Sequence, residues 1–231
     1  MSESDVNVKH IPLSRIQKLI GQRMLESKRT QPCFYMTARA DVGAIVEGRR
    51  QISKQLGTRI SMNDFFIRAM AIAVEKYPLI AGSFKDDHIE ITESVNIGLA
   101  VAAPKGLVVP VVKNANNKSI AEIAKETGEL IEKARNNKLR LDELSGACIT
   151  LTALGMFGID SFLAIPSPGQ CGILSVGKII EQPVPCDGNI EIKKFVEFGL
   201  AVDGRIVGAD YAAKFLVETT NLIANPQKLI D

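Results

Sequence analysis

The chain has 231 residues, of which 46% are hydrophobic and 23% are charged, and its formal net charge is +2. This length and apolar content suffice for a substantial core, and no linker rich in proline, glycine or serine divides the chain. Basic residues are interleaved with acidic ones and no apolar run approaches the roughly 18 residues of a membrane helix. We therefore predict one large soluble domain with no nucleic-acid or membrane partner.

The cysteines and the N-terminus indicate the compartment. Cys33, Cys148, Cys171 and Cys186 are far apart, with no C-x-x-C pair and no histidine near them. This spacing argues against a metal site or a disulfide framework and favours a reducing compartment. The N-terminus is acidic and polar, unlike a secretory signal or an Arg-rich transit peptide. We predict a metal-free, cytoplasmic protein.

The first third of the chain predicts a polar tail followed by helices and one strand. Residues 1–10 have little apolar content and no periodicity, so a mobile tail is expected there. The next elements in chain order are a helix from Ser14 to about Lys28, a strand at Phe34–Ala40, a helix at Val42–Leu56 closed by Gly57, and a helix that begins at Ser61. The last helix is apolar on nearly every side and belongs in the middle of the domain.

The rest of the chain mixes strands and helices without a regular alternation. The predicted elements are strands at His88–Thr92, Val95–Ala102 and Leu107–Val112, an exposed helix at Ser119–Asn136, strands at Ala147–Thr152, Cys171–Ile180 and Ile190–Val202, and a helix at about Gly208–Ala224. Pro110 favours a strand end, bulge or edge, and Asp187-Gly188 reads as a hairpin turn. Gly155 and Gly158 permit a tight backbone path after the Ala147–Thr152 strand. The order predicts a mixed sheet with helices packed against it, not a doubly wound nucleotide fold.

The segment before the closing helix carries the most specific motif. Leu200–Asp210 reads Leu-Ala-Val-Asp-Gly-Arg-Ile-Val-Gly-Ala-Asp, and it resembles the Asp-His-Arg-x-x-Asp-Gly signature of the 2-oxoacid dehydrogenase acyltransferases, the dihydrolipoamide acetyltransferase family. Asp203 and Arg205 keep this frame, whereas Gly204 stands at the histidine position and Gly208 at the aspartate position. The resemblance extends from about Ile11 to Ile230. Its further blocks, in family order, are an opening helix with Arg23-Met24, then Ser61–Phe65, Val95–Ala102, Gly106–Val111, Ala134–Leu139 and Leu154–Gly158.

The resemblance implies a fold and an assembly. The expected fold is α/β (α+β) and chloramphenicol-acetyltransferase-like, a two-layer arrangement of mixed sheet and helices that forms trimers with a channel between each pair of subunits. Family trimers often build a cubic or dodecahedral core with other subunits of a 2-oxoacid dehydrogenase complex. Residues 11–231 would form the catalytic-type domain, and the family's lipoyl and subunit-binding domains are expected to be absent from this chain. The implied ligands are coenzyme A or a lipoyl group, with no metal.

The resemblance also implies roles for single residues. In the family, a histidine deprotonates the thiol, a serine or threonine hydroxyl donates to the oxyanion, and an aspartate pairs with an arginine of the first helix. These roles fall on Gly204, Thr152, Gly208 and Arg23. Glycine cannot act as an acid or base, so activity is expected to be lost or strongly impaired. The same glycines also suit an ordinary turn, and Thr152 an ordinary strand.

Other residues offer weak substitutes for the missing groups. The two histidines are His10, in the polar tail, and His88, in a predicted turn, and both are expected to be solvated. Asp210 is a candidate substitute partner for Arg23, although an aspartate also suits the first turn of a helix. Ile165–Gln170 departs from the family's usual Ile-Asn-Pro-Pro-Gln, which fits relaxed selection at the site.

Three functions remain open. The favoured hypothesis is an oligomeric scaffold without activity, similar to the inactive protein X subunits of the family. The second is an acyltransferase that uses Thr152 for the oxyanion without a histidine base. A free thiol with a pKa near ~8.5 is a few per cent ionised at neutral pH, so loss of the base need not abolish transfer. The third is a ligand-binding protein that uses a channel widened by the two glycines.

Overall fold

The computed structural model describes residues 9–104 and 106–230, so most of the predicted tail at 1–10 lies outside the described residues. The helices are α1 (Arg15–Thr30), α2 (Gly43–Gln55), α3 (Met62–Lys76), α4 (Ile120–Arg135) and α5 (Ala209–Ala224). The strands are β1 (Cys33–Asp41), β2 (Gly82–Phe84), β3 (Ile89–Ile91), β4 (Ile97–Leu99), β5 (Val101–Ala103), β6 (Gly106–Val108), β7 (Val111–Val112), β8 (Ile149–Ala153), β9 (Gly172–Cys186) and β10 (Asn189–Asp203).

Six of the strands form one mixed sheet in the order β1-β10-β9-β8-β4-β7. β8 runs parallel to both β4 and β9, and the other neighbours in the sheet are antiparallel. The remaining strands form two small hairpins, β2 with β3 and β5 with β6. The predicted mixed sheet is confirmed, and the hairpin of β2 and β3 adds one strand that the sequence did not indicate.

The helices α3 and α5 form the core with one face of the sheet. The ring of Phe66 in α3 meets that of Phe198 in β10 edge-on, with centroids 5.2 Å apart. Phe65 and Phe215 are completely buried. Such edge-to-face pairs contribute beyond their buried area, by about 0.5–1.5 kcal/mol. The prediction that the helix after Ser61 lies in the middle of the domain is confirmed.

Two of the predicted strands are each broken into two. Val95–Ala102 divides at Ala100 into β4 and β5, and Leu107–Val112 divides before Pro110 into β6 and β7. The reason is that the chain leaves the main sheet for the β5–β6 hairpin and then returns. Pro110 lacks an N–H, but its carbonyl accepts a hydrogen bond from the backbone N–H of Leu99.

The helix predicted at Ser119–Asn136 forms as α4, and its exposure is confined to its charged face. Its apolar residues recur along one face, and Ile120, Ile123 and Leu130 are buried against the domain. The charged side chains occupy the other face, as is usual for an amphipathic helix.

The long β9–β10 hairpin leads the chain into the candidate site. Its turn lies at Asp187 and Gly188, with φ values of 47° and 82°, which confirms the predicted hairpin turn. β10 ends at Asp203, so Gly204 follows the last residue of a central strand directly.

Close backbone packing fixes the segment after β8. A Cβ on Gly177 would lie 1.8 Å from the carbonyl oxygen of Asp160, and one on Gly155 would lie 2.4 Å from that of Gly177. Both positions therefore require glycine, which confirms the tight path predicted after β8. The contact holds the segment after Thr152 against β9.

Asp64 makes the stability of the core depend on pH. Its carboxylate accepts hydrogen bonds from the Ser61 N–H and the Thr127 hydroxyl, both at 2.6 Å. Burial nevertheless raises the pKa of Asp64, against the lowering effect of those bonds and of the Arg49 charge. The folded state thus holds this proton more tightly than the unfolded chain. Protonated Asp64 therefore contributes to the free energy of unfolding. This contribution is fully present below about pH 3.9, the pKa in the unfolded chain, and is lost as pH rises through the higher pKa of the folded state.

We therefore expect Asp64→Asn to gain stability relative to wild type as pH rises above about 4. Urea unfolding midpoints between acidic and neutral pH measure this difference, and Asp86→Asn, at an exposed position, is the control. If the unfolding midpoints of wild type and Asp64→Asn changed with pH by the same amount, the raised pKa of Asp64 would be contradicted.

Candidate functional site

The turn after β10 is fixed by an ion pair. The Asp203 carboxylate is 1% exposed, and it accepts hydrogen bonds from Nη2 of Arg205 at 2.6 Å and from Nε at 3.0 Å. The backbone N–H of Arg205 donates to the same carboxylate at 3.0 Å. The guanidinium also lies 4.2 Å from the centre of the Phe84 ring. Charge-assisted, bidentate contacts of this kind are strong, so the turn has a defined shape.

Gly204 lies exposed at the tip of this turn. Its N–H donates to the carbonyl of Pro32 at 3.2 Å. A Cβ at this position would lie 3.2 Å from that carbonyl oxygen and 3.5 Å from the ring of Phe34. Gly204 is not among the described residues with positive φ. A side chain therefore fits here with a small adjustment.

Gly208 is the N-cap residue of α5, with φ −80° and ψ 164°, an extended conformation open to every residue type. A Cβ would lie 3.3 Å from Oδ1 of Asp210. The interpretation that turn geometry accounts fully for Gly204 and Gly208 is therefore corrected, because neither backbone conformation requires glycine.

Thr152 lies on β8 beside Ser175 of β9, and it is half-buried. Its neighbours on β8, Leu151 and Ala153, face the core, so Thr152 faces away from the helices. Among the described residues its hydroxyl has no hydrogen-bond partner. By contrast, the hydroxyls of Thr150 and Ser175 donate to Gln170 at 2.7 Å and to the Phe162 carbonyl at 2.6 Å.

Thr152 and Gly204 are far apart within one subunit. The register aligns Thr152 with Ser175 and Ser175 with Gly199. Gly204 lies five residues further along the chain of β10, two strands away from β8. Strand geometry places the two Cα atoms about 20 Å apart. One subunit cannot bring both positions to the same reacting carbonyl.

Arg23 and Asp210 do not meet within the subunit. Arg23 is exposed on α1. Asp210, also exposed, has Oδ2 3.5 Å from Nζ of Lys214, one turn further along α5. The suggested replacement pair between Asp210 and Arg23 is therefore absent from this subunit, because Asp210 pairs locally instead.

Neither histidine reaches the turn as a base. His10 is exposed near the start of the described residues. His88 is exposed too, and its Nδ1 lies 2.7 Å from a carboxylate oxygen of Asp87. The β2–β3 hairpin that carries His88 does contact Arg205, but through Phe84.

The segment that departs from the family pattern, Ile165–Gln170, is held by buried polar contacts. The Ser27 hydroxyl lies 2.7 Å from the carbonyl oxygen of Pro166, and Nε2 of Gln31 donates to the carbonyl of Gln170 at 2.9 Å. The Gln170 side chain accepts from Thr150, two residues before Thr152. These bonds join the end of α1, the segment and β8 into one ordered unit beside Thr152.

A basic groove lies where α2 ends and the chain turns towards α3. Its volume is about 560 Å³, and its cationic side chains are Arg49, Arg50, Lys54 and Arg59. No carboxylate lines the groove, and among the described residues none of the four cations forms a salt bridge. Arg49 is close enough to lower the pKa of buried Asp64, whose oxygens are already hydrogen-bonded. The groove is thus suited to an anion with several charges.

The groove was not predicted from the sequence, because the net charge of the whole chain is only +2 and does not reveal a local excess of cations. Locally, residues 49–60 contain four cations and no acidic residue. This run of positive charge is the feature of the sequence from which a basic groove could have been predicted. The turn at Gly57, with φ +64°, brings Arg59 back beside Arg49 and Lys54, which no spacing rule predicts.

Among the described residues, the cysteines are unpaired and the acidic residues form no metal-binding group. The described cysteines are free thiols, and burial raises the pKa of Cys171 to about 12, with a smaller effect from the Asp203 charge. Residues 9–104 and 106–230 contain no group of three side chains arranged to hold a metal ion. In the same residues, no helix combines the length and apolarity that crossing a bilayer requires.

Several segments expose large apolar side chains, and two of them flank the region of Thr152 in the chain order or in contacts, α1 through Ile165–Gln170 and the turn after β8 directly. On α1, Leu19 is 55% and Leu25 49% exposed, and in the turn after β8, Met156 and Phe157 are 77% and 68% exposed. Exposed apolar side chains of this size, where they lie together, are typical of protein interfaces. We call these two segments, α1 and residues 156–163, the apolar segments.

Comparison with known proteins places the chain among acyltransferases. Residues 6–230 match the family described as 2-oxoacid dehydrogenases acyltransferase (catalytic domain). A dihydrolipoyllysine-residue acetyltransferase component of the pyruvate dehydrogenase complex of Rickettsia felis is 38% identical over 95% of this chain and 54% of its own length. Protein X of the mouse pyruvate dehydrogenase complex is 36% identical over 95% of this chain and 44% of its own. The chain spans about half the length of these relatives.

Solved structures agree with this assignment. The dihydrolipoamide acetyltransferase of Azotobacter vinelandii is 27% identical, with a TM-score of 0.91 over 99% of this chain and 98% of its own. A serine, a histidine 52 positions later and an asparagine four positions after that were investigated for roles in its catalytic mechanism. The cubic core of a pyruvate dehydrogenase multienzyme complex matches with the same TM-score, identity and coverage. A chloramphenicol acetyltransferase, 14% identical with a TM-score of 0.53 over 87% of this chain and 94% of its own, shares the fold, which confirms the predicted fold class.

Proposed function

The chain belongs to the family of 2-oxoacid dehydrogenase acyltransferase catalytic domains, and from this membership we propose that it is an assembling core domain whose acyltransferase activity is lost or strongly impaired. The proposal is supported most directly by the motif after β10, in which the frame of Asp203 and Arg205 would put Gly204 at the position of the family's general base. The backbone conformation of Gly204 does not require glycine, so the missing imidazole is not the consequence of a backbone constraint.

The spacing of the site residues supports this alignment. In the Azotobacter enzyme the serine, histidine and asparagine are separated by 52 and then four positions. Thr152, Gly204 and Gly208 have the same separations. We therefore assign Thr152 to the hydroxyl position, Gly204 to the histidine position and Gly208 to the position four residues after it.

Loss of the general base is expected to slow acyl transfer. Thioester exchange needs an ionised thiol, and a positioned general base typically contributes about 10²–10⁴ in rate. Gly204 has no side-chain nitrogen to act as a base, and the imidazoles of His10 and His88 are solvent-exposed. The domain fold and the Asp203–Arg205 ion pair remain in place around the gap.

The assembling role is supported by the surface and by the relatives. Both apolar segments are exposed in the single subunit, as expected of surfaces that a second subunit covers. A relative with the same fold forms a cubic core, and another is a protein X component. We propose a homotrimer as the basic unit and a 2-oxoacid dehydrogenase complex as the larger assembly, built through the domain at residues 11–231.

The basic groove favours a second function, the binding of coenzyme A. Coenzyme A carries a pyrophosphate and a 3′-phosphate, and the groove presents Arg49, Arg50, Lys54 and Arg59 without a competing carboxylate. Arginine is the side chain best suited to phosphate recognition. Retained binding, together with the free hydroxyl of Thr152, leaves a slow transfer route in which an already ionised thiol attacks the thioester and Thr152 donates to the oxyanion.

An acetyl-transfer assay tests the proposed function. The assembled wild-type protein is incubated with acetyl-CoA and dihydrolipoamide, and S-acetyldihydrolipoamide is quantified against a protein-free reaction. The expected result is a particle larger than one subunit, by light scattering, with transfer at or slightly above background. The Azotobacter enzyme in the same assay is the reference, and a comparable rate for this chain would refute the loss of activity.

A further inference from the structure

The distance between Thr152 and Gly204 determines what a single chain contributes to a site. The two positions are about 20 Å apart by strand geometry, but an oxyanion donor and a base must both lie within hydrogen-bond reach of one reacting thioester. A complete site therefore combines Thr152 of one subunit with position 204 of its neighbour. Each subunit consequently takes part in two sites, with a different group in each.

We propose that this chain donates Thr152 to the sites of a histidine-bearing subunit in mixed assemblies. This proposal rests on the proposed function, since it assigns a partner to the same site. The partner is defined by its chemistry, an acyltransferase subunit of this fold with an imidazole at the position equivalent to Gly204. In such an assembly each copy of this chain disables the site that uses its own position 204. It completes the site that uses its Thr152.

The state of the Thr152 hydroxyl supports this role. The adjacent hydroxyls of Thr150 and Ser175 are each committed to a hydrogen bond within the subunit. Thr152 is half-buried, and its hydroxyl is uncommitted among the described residues. A half-buried donor with no partner in its own subunit is available to a group presented by the next one.

The contacts that fix the chain around Thr152 support the same role. Gln170 ties the Ile165–Gln170 segment to β8 through Thr150 and to α1 through Gln31. Gly155 and Gly177 hold the chain on the other side of Thr152 in close backbone contact. The hydroxyl half of the site is thus rigidly positioned, while the base half at Gly204 lacks its reactive group.

The reaction at a mixed site balances without any further reactant. The neighbour's imidazole takes the proton of the acceptor thiol, and the thiolate forms a bond to the carbonyl carbon of the acyl thioester. Thr152 donates a hydrogen bond to the resulting oxyanion. The bond from carbon to the donor sulfur then breaks, and the imidazolium returns the proton to the leaving thiolate.

Mixing two versions of this chain tests the proposal. The base chain carries Gly204→His, Gly208→Asp and Thr152→Val, and the hydroxyl chain is wild type. Each chain alone lacks one half of every site. Co-assembled chains with different affinity tags, isolated by both tags in turn, are expected to transfer acetyl groups well above either chain alone. Thr152→Val without the glycine substitutions is the matched control, and its mixture with the base chain is expected to stay inactive.

The dependence on subunit ratio gives a second readout. A restored chain, with Gly204→His and Gly208→Asp but Thr152 intact, is mixed with wild type at varied ratios. If wild type donates Thr152, activity falls in proportion to the fraction of restored chain. With Thr152→Val in place of wild type, activity falls as the square of that fraction. A square dependence in both series would overturn the proposal.

A cross-linking experiment decides the geometry without using activity. In a Cys33→Ser and Cys186→Ser background, Thr152→Cys is placed in one tagged chain and Gly204→Cys in the other. A short bis-maleimide is expected to join the two chains in mixed assemblies and not in assemblies of either chain alone. No mixed product would overturn the composite site. Full activity of unmixed wild type, with the cross-link formed, would refute only the proposed function.

Discussion

Installing both missing side chains, Gly204→His with Gly208→Asp, is expected to raise acetyl transfer by about 10²–10⁴-fold over wild type. The gain corresponds to a positioned general base, the reactive group that we propose the site lacks. The Asp203–Arg205 ion pair fixes the turn around position 204, and among the described residues the Thr152 hydroxyl has no hydrogen-bond partner. The gain is measured as kcat/KM for acetyl transfer from acetyl-CoA to dihydrolipoamide.

The backbone accepts both substitutions. At Gly204 the new Cβ contacts the Pro32 carbonyl oxygen at 3.2 Å and the Phe34 ring at 3.5 Å, so a shift of a few tenths of an ångström accommodates it. At Gly208 an aspartate occupies the N-cap of α5, where it is a preferred residue and adds roughly a few tenths of a kcal/mol of stability relative to glycine. We therefore expect the doubly substituted chain to fold and assemble as wild type does.

The control for this experiment is Gly204→Gln with Gly208→Asp. Glutamine fills a volume similar to that of histidine and forms hydrogen bonds, but it is not a base. Its rate is expected to remain within about tenfold of wild type, below the gain assigned to a base. Equal rates for the histidine and glutamine variants, both correctly assembled, would show that a general base is not what the site lacks.

Replacing Arg49 and Arg59 by glutamine is expected to raise the Kd for coenzyme A by about 10²–10⁴-fold. A hydrogen bond to a charged group contributes about 1.5–3 kcal/mol, and each 1.4 kcal/mol is a factor of ten. The two arginines face one groove that contains no carboxylate, so their effects on a phosphate ligand should add. Isothermal titration calorimetry at low ionic strength measures the change, which added salt should diminish.

The matched control for the groove is Lys125→Gln with Arg135→Gln. These α4 residues are exposed and do not line the groove, and their substitution removes the same total charge. Their Kd for coenzyme A is expected to stay within about twofold of wild type, because exposed distant charges are screened. Unchanged binding in the Arg49 and Arg59 variant would remove the basis for assigning coenzyme A to this groove.

Local patterns predicted most of the fold. Ser14, Ser61 and Ser119 do begin helices, and Asp187-Gly188 forms the hairpin turn, because capping and turn chemistry act over a few residues. The errors arose where tertiary contacts decide. The breaks at Ala100 and before Pro110 follow from the path of the chain between two sheets, which periodicity within one segment does not encode.

The candidate site was predicted only in part, for a similar reason. The motif frame gave positions 152, 204 and 208 in the sequence, and the structure places them on β8, after β10 and at the start of α5. Whether glycine is required at 204 and 208 depends on φ angles and neighbouring atoms, which the sequence alone does not give. The basic groove depends on a turn that returns the chain to α2, so only its charge run was visible in advance.

The pH dependence of the residual acetyl transfer tests the central claim most directly. Without a protein base, the rate of the assembled wild-type protein follows the ionised fraction of the thiol. It should rise about tenfold for each pH unit between pH 6 and 8, since an ordinary thiol has a pKa near 8.5. A rate that titrates with a midpoint near 6.5 and then reaches a plateau would reveal a working base in the protein and would contradict the account.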